Sequence, residues 1–241
     1  MIYLVGAGPG RADLLTLRAA RVLAIADVVL YDRLVSAEVL AMVNPGAEFV
    51  FVGKEDGQQE CIQERILREL ADYGSHHEHV VRLKGGDPMI FGRGAEEWQY
   101  LAARGLEVEL VPGISSALSV PALAGVPPTF RGVATGFAVV TGHVREGFNE
   151  DLSRYAAIDT LIILMGTRHR AQIAEILIAA GRNPRQPACF IENGSTPQER
   201  FIETTLGELG NVEVESPAVL VIGEVVTLRG QLVRTLAHAL A

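Results

Sequence analysis

Apolar positions along this chain fall into short, nearly unbroken runs separated by glycine, proline or charge. In the first half the runs occupy 3–6, 27–31, 48–52, 79–83 and 107–111. Runs of this length, rich in Val, Ile, Leu and Phe, predict strands buried on both faces by helices. Between them the spacing turns helical, over 14–24 with Asp13 as N-cap and over 95–104 with Gly105 as a C-terminal stop. After Pro112-Gly113 a helical stretch over 115–124 ends at the turn Gly125-Val126-Pro127-Pro128. A second set of strand patterns then follows at 137–141, 160–165, 188–192, 200–204 and 218–224.

Short buried strands alternating with helices predict an α/β fold with largely parallel strands. Two equal sets, with no repeated motif between them, suggest two α/β domains, 1–113 and 114–241, with a site in the cleft between them. One continuous doubly wound sheet is the alternative.

Composition narrows the function classes. Hydrophobic residues make up 49% of the chain, yet none of the apolar runs approaches the ~18 residues a membrane span needs. The first apolar run has no basic segment before it and leads straight into a glycine loop, which argues against a cleaved signal. The expectation is a soluble, cytoplasmic protein without a membrane partner. A net charge of −8 argues against a nucleic-acid surface, which requires a basic excess. Cys61 and Cys189 lie far apart with no paired spacing, which supports neither a zinc motif nor a disulfide framework. His76, His77, Glu78 and His79 read as a solvated turn before a strand, so no metal site is expected.

Two glycine-dense loops carry the candidate chemistry. Gly6-Ala7-Gly8-Pro9-Gly10 follows a strand and precedes a helix, where free backbone N–H groups can meet a phosphate or a carboxylate. It resembles a dinucleotide fingerprint, and Asp32 stands about where a ribose-binding acid would be. Arg11, however, replaces the third glycine, and Pro9 removes a donor. The second loop, Lys84-Gly85-Gly86-Asp87-Pro88, lets a ligand lie against backbone and offers an acid beside it. Together the loops suit a ligand with ammonium, carboxylate, ribose and sulfonium groups, such as S-adenosylmethionine. A nucleotide-dependent oxidoreductase and a donor-sensing binding module are the competing readings.

The strings YLVGAGPG, DLLTLRAARVLAIADVVLYDRLVS, VGK, VVRLKGGDPMIFGRGAEE, VPGISSA, AGVPPTFRG and VTGH occur in order over roughly residues 2–143. LMG at 164–166 and ENG at 192–194 follow. In this the chain resembles the uroporphyrinogen-III C-methyltransferases, within the wider tetrapyrrole methylases. The resemblance implies S-adenosylmethionine as methyl donor, an anionic tetrapyrrole as acceptor and a homodimer. It implies donor contacts at Pro9, Gly85, Gly86, Asp87, Ile90, Ser115, Ser116, Met165 and Gly194. It also implies Asp32 as proton acceptor and Lys54 as proton donor; the alternatives are a strand-end carboxylate paired with its neighbour Arg33 for Asp32, and for Lys54 a solvated lysine beside Glu55 or a partner of a substrate carboxylate.

The eight carboxylates of uroporphyrinogen III favour forked guanidinium partners. Arg33, Arg93 and Arg131 are the candidates, with Arg82 either a fourth or a structural strand residue. Arg11-Ala12 stand where the family usually has Asp-Pro, and Glu55-Asp56 where a basic residue is common. Phe130 stands in the usual Thr-His-Arg string, which removes an imidazole near the expected acceptor and leaves a methylase of a later precorrin as the alternative.

Overall fold

A computed structural model describes residues 1–53, 59–142 and 152–233. Lys54 and His143 lie outside the described residues. The chain forms two compact units, Met1–Ser116 and Ala117–Ala241.

The first unit holds a five-stranded sheet of β1 (Ile2–Gly6), β2 (Val28–Tyr31), β3 (Glu48–Phe51), β4 (Val80–Lys84) and β5 (Val108–Val111). Their order is β3-β2-β4-β1-β5, and every pairing is parallel. Helices α1 (Leu17–Leu23), α2 (Ala37–Leu40), α3 (Gln59–His76) and α4 (Gly94–Ala102) connect the strands. Two apolar clusters form on the unit, one around Val5, Val29, Val81 and Leu83, the other around Ile2, Leu30, Leu70 and Leu101. The alternation of strand side chains sends Leu30 to one cluster and Val29 to the other. β3 departs from the sequence expectation, because as the edge strand it leaves Phe49 and Phe51 half exposed.

Helix α1 starts later than its pattern suggests. Thr16, not Asp13, is its N-cap, its Oγ1 accepting from Ala19 N at 3.1 Å. Asp13 instead sits in a single 3-10 turn and pairs with Arg11. Arg11 therefore stays on the outside of the first glycine loop.

The second unit contains α5 (Ser116–Leu123, which opens at the boundary), β6 (Phe137–Thr141), β7 (Thr160–Leu164), α6 (Arg170–Ala179), β8 (Pro187–Glu192), β9 (Arg200–Thr205) and β10 (Ala218–Ile222). Its sheet runs β6-β7-β10-β8-β9. Only β6 and β7 are parallel; the pairs β7–β10, β10–β8 and β8–β9 are antiparallel. The expectation of largely parallel strands thus fails here, and two separate sheets replace the continuous-sheet alternative. A core around Phe190, Leu161, Ile163 and Leu177 fills one face, and a second around Ile162, Ile191, Val221 and Val126 fills the other.

Candidate functional site

The parallel register of β1 and β4 pairs Gly6 with Lys84, so both strands leave the first sheet at the same level. Their loops then bind each other. Ala7 N donates to Lys84 O at 2.7 Å, Gly8 N to Gly86 O at 3.2 Å and Gly86 N to Gly8 O at 2.7 Å. Gly8 and Gly86 hold φ of 72° and 67°, the left-handed region glycine enters at little cost. The chain leaving β5 joins them at Gly113. A Cβ on Gly113 would stand 2.2 Å from Gly86 O, and one on Gly6 would stand 2.5 Å from Gly113 Cα. Three backbones therefore touch at Gly6, Gly86 and Gly113, which leaves N–H and C=O groups of the carboxyl-end loops bare of side chains.

Asp87 is fixed inside this junction. Its Oδ2 accepts from Gly113 N at 3.0 Å and its Oδ1 from Met89 N at 2.8 Å. Each oxygen is thus engaged by a backbone donor and keeps further lone-pair capacity. The following Met89, Ile90 and Phe91 are exposed apolar residues, at 37%, 42% and 43%. The Gly86 Cβ position lies 3.5 Å from Ser116 N and 3.9 Å from Ser115 Cα. Pro9 is half buried beside Gly8. The loop after β2 reaches the same end of the sheet: Ser36 Oγ donates to Gly10 O at 2.5 Å, and a Cβ on Gly85 would meet Leu34 Cβ at 2.8 Å. Gly85, Gly86, Asp87, Ile90, Ser115, Ser116 and Pro9 are thereby gathered at the carboxyl end of the first sheet, where open α/β sheets bind ligands.

Asp32 opens that third loop, and its partner is not Arg33. Oδ1 accepts from Leu34 N at 3.0 Å, and Oδ2 from Arg82 Nη2 at 3.3 Å. Arg33 is exposed, whereas Arg82 is buried in β4. Arg82 Nη1 donates to Leu83 O at 2.9 Å and Leu30 O at 3.3 Å, and its Nε to Glu97 Oε1 at 3.3 Å. Lys84 Nζ donates to the same Oε1 at 2.8 Å, and Gln63 Nε2 at 3.4 Å. Glu97 is fully buried on α4, and its Oε2 has no hydrogen-bond partner among the described residues. Burial pushes the Lys84 ammonium below the usual lysine range; the Arg82 charge adds to this, and Glu97 and Asp32 oppose it. Sequence reading missed Lys84 and Glu97, although a glutamate four residues before the core residue Leu101 marks a charge on the buried helical face.

The other candidate arginines are accessible. Arg93, at the N-terminal boundary of α4 with φ of 60°, donates to Glu96 from Nε and Nη2, the shortest contact being 2.6 Å. Arg131 is exposed in a turn closed by bonds between Phe130 and Ala134, and Phe130 itself is 44% exposed.

In the second unit, Met165 follows β7 with φ of 58° and is 48% exposed, so it is not the ordinary core filler that methionine often is. Gly194 follows β8, and a Cβ there would meet Val120 Cγ1 at 2.3 Å. The turn before it is tied down by Glu192, which accepts from Arg200 Nε and Nη2 at 2.6 and 2.7 Å and from Glu215 N at 2.6 Å.

His76 is the last residue of α3 rather than part of a loop. Its Nδ1 lies 2.8 Å from Asp72 O, His77 tilts against Tyr73, and His79 Nδ1 lies 3.3 Å from Tyr3 Oη, so the three rings diverge. A surface recess lined by Val50, Arg68, Glu69, Asp72 and Tyr73 contains none of the glycine-loop residues. No helix among the described residues is long and apolar enough to cross a membrane.

Comparison with known proteins gives concordant matches. The sequence profile of the Tetrapyrrole (Corrin/Porphyrin) Methylases matches residues 1–210. The chain is 45% identical over 239 residues to a siroheme synthase of Pseudomonas aeruginosa, covering 96% of this chain and 51% of that protein. It thus spans about half the length of the curated relatives it matches. The crystal structure of uroporphyrin-III C-methyl transferase from Thermus thermophilus, complexed with S-adenyl homocysteine, aligns with a TM-score of 0.85 at 49% identity, covering 94% of this chain and 99% of that one. A cobalt precorrin-4 methyltransferase aligns with a TM-score of 0.82 at 25% identity over 93% of this chain and 95% of that one.

Proposed function

The chain belongs to the tetrapyrrole (corrin/porphyrin) methylases, and we propose that it carries methyl groups from S-adenosylmethionine to carbon atoms of uroporphyrinogen III, through precorrin-1 to precorrin-2, on the route to sirohaem or cobalamin. One observation carries the reading: the match to the uroporphyrin-III methyl transferase covers nearly the whole of both chains at 49% identity. The residues present fit the donor. The glycine junction at Gly8, Gly86 and Gly113 carries no side chains and lets the donor lie close against the loops, and the exposed Met89–Phe91 surface suits its flat adenine. Met165 and Gly194 are further proposed donor contacts.

Bound there, the donor supplies a methyl group on a sulfonium, whose C–S bonding pair stays with sulfur while a π pair of the pyrrole ring forms the new C–C bond. The chain's task is then alignment and proton handling. Alignment of reacting atoms is worth up to roughly 7–11 kcal/mol in the best intramolecular models. Asp32, with its two oxygens held but a quarter exposed, accepts the proton that leaves the alkylated ring system. Lys54 acts as proton donor. Arg33, Arg93 and Arg131 meet the substrate carboxylates. The protein works in the cytoplasm as a homodimer, and light scattering of the purified chain tests the dimer.

The defining assay is incubation with isotopically labelled donor and enzymatically generated uroporphyrinogen III, followed by mass spectrometry. Two methyl additions support the proposal. No mass gain on uroporphyrinogen III, with methylation of a later precorrin, moves the function to the neighbouring branch, which the exposed Phe130 in place of the usual histidine favours.

A further inference from the structure

We propose that Arg82 is a positioning residue for carbon methylation, holding the Asp32 carboxylate in a single orientation, and that the buried Glu97–Lys84 pair serves to fix Arg82. The proposal rests on the reading of Asp32 as proton acceptor. Its starting point is an anomaly of burial. The side chains of Arg82 and Lys84 are 4% and 6% exposed and Glu97 is wholly enclosed, yet Asp32, at the outer end of the same chain of contacts, is 24% exposed. Three charges in the core between a sheet and a helix are a poor way to stabilise a fold, since apolar side chains of similar volume generally do at least as well. What such an array does provide is geometry.

Every side of the Arg82 guanidinium is used. Nε is held by Glu97, Nη1 by the carbonyls of Leu30 and Leu83, and Nη2 alone points to Asp32. Leu30 lies on the strand that delivers Asp32, so the fork is referenced to the same backbone as the carboxylate it holds. Leu34 N takes the second carboxylate oxygen, so the group is held at both oxygens. The remaining lone pairs then face one fixed direction, which is what a base needs to meet a proton on a ring that is itself aligned for alkylation.

Glu97 balances the array. Its Oε1 gathers Arg82, Lys84 and Gln63, and the four charged side chains sum to zero. Without Glu97, two cations on the same strand would face each other in the interior with only Asp32 to offset them. A lysine would be a weak replacement for Arg82, because a point charge cannot reach four acceptors on two strands, a helix and a loop at once.

The test is a double-mutant cycle of Arg82→Gln and Asp32→Asn, with kcat and KM for methylation of uroporphyrinogen III, S-adenosylhomocysteine affinity by calorimetry and a melting curve for each protein. Arg82→Gln alone is expected to lower kcat by roughly tenfold to hundredfold. KM and donor affinity should stay within about twofold, and adding Arg82→Gln to Asp32→Asn should change kcat by no more than about twofold. If Arg82→Gln does not fold, Glu97→Gln takes its place, with a smaller kcat loss that again vanishes beside Asp32→Asn. An equal loss in both backgrounds, or a folded Arg82→Gln protein at the wild-type rate, overturns the positioning role while leaving Asp32 as base. An Asp32→Asn protein at the wild-type rate removes the base itself, and with it the group Arg82 would position.

Discussion

Gly8 and Gly86 exchange backbone hydrogen bonds at 3.2 and 2.7 Å, joining two loops that are separated by most of the first unit's sequence. The requirement for glycine differs around this junction. At Gly6 and Gly113 it is steric, since an added Cβ would collide with backbone. At Gly86 a Cβ would find ordinary contact at 3.5 Å, and the constraint is the φ of 67°.

That distinction gives a controlled experiment. Gly105 has a φ of 72° and nothing within 4 Å of its Cβ position. Gly86→Ala and Gly105→Ala should each cost about 1–2 kcal/mol of stability from left-handed backbone strain. Only Gly86→Ala should also weaken S-adenosylhomocysteine binding, by about tenfold or more, equivalent to at least ~1.4 kcal/mol. Calorimetry on both folded variants decides. Equal donor affinity in the two would show that the β4 loop does not contact the donor.

Glu192 fixes the strand end from which Gly194 leaves, and its behaviour with pH is predictable in sign. Hydrogen bonds from Arg200 hold its carboxyl below the usual glutamate range, against burial, with Glu215 N and the Arg200 charge adding to the effect. A depressed folded value means that the stabilisation is complete above the unfolded value of about 4.3 and is lost as pH falls through the lower folded value. Glu192→Gln should therefore melt earlier at pH 7, by an equivalent of about 1–2 kcal/mol because Arg200 is half exposed. The gap should close in acid. A gap that stays constant from neutral pH into acid would mean that Glu192 acts through shape and not charge.

Cys189 is fully buried in β8 and opposes Val221 of β10, and burial pushes its thiol up, away from the reactive thiolate. The folded protein should resist alkylation at this residue and the urea-unfolded protein should accept it, as read by peptide mass mapping. Comparable labelling in both states would contradict the packing of the second sheet.

Much of this architecture was legible in the sequence, because buried strands announce themselves as apolar runs between turn residues. All ten predicted strand positions carry strands, β6 and β7 among them. Strand direction in the second unit was not legible. A strand buried on both faces presents the same apolar run whether its neighbour is parallel or antiparallel, so β8 and β10 gave no sign of their pairing. The glycine loops could be read as a binding surface, since glycine density after a strand has few other uses. The Asp32–Arg82 pair could not, because residues 32 and 82 meet only through the placement of β4 beside β2. Adjacency in the chain pointed to Arg33, and the sheet order decided otherwise.

The exposed arginines differ from Arg82 in what they can do. Arg33 and Arg131 lie on the surface, while Arg82 is spent on internal acceptors. If the surface pair meets substrate carboxylates, each contact is a charge-assisted hydrogen bond worth about 1.5–3 kcal/mol. Arg33→Ala and Arg131→Ala should then raise KM for uroporphyrinogen III by roughly tenfold to a hundredfold, with kcat, donor affinity and melting temperature nearly unchanged. Salt gives an independent check. Added sodium chloride should raise the wild-type KM more steeply than that of either variant, because screening removes an attraction the variants have already lost. An unchanged KM with parallel salt dependence would take the arginine concerned out of the acceptor site.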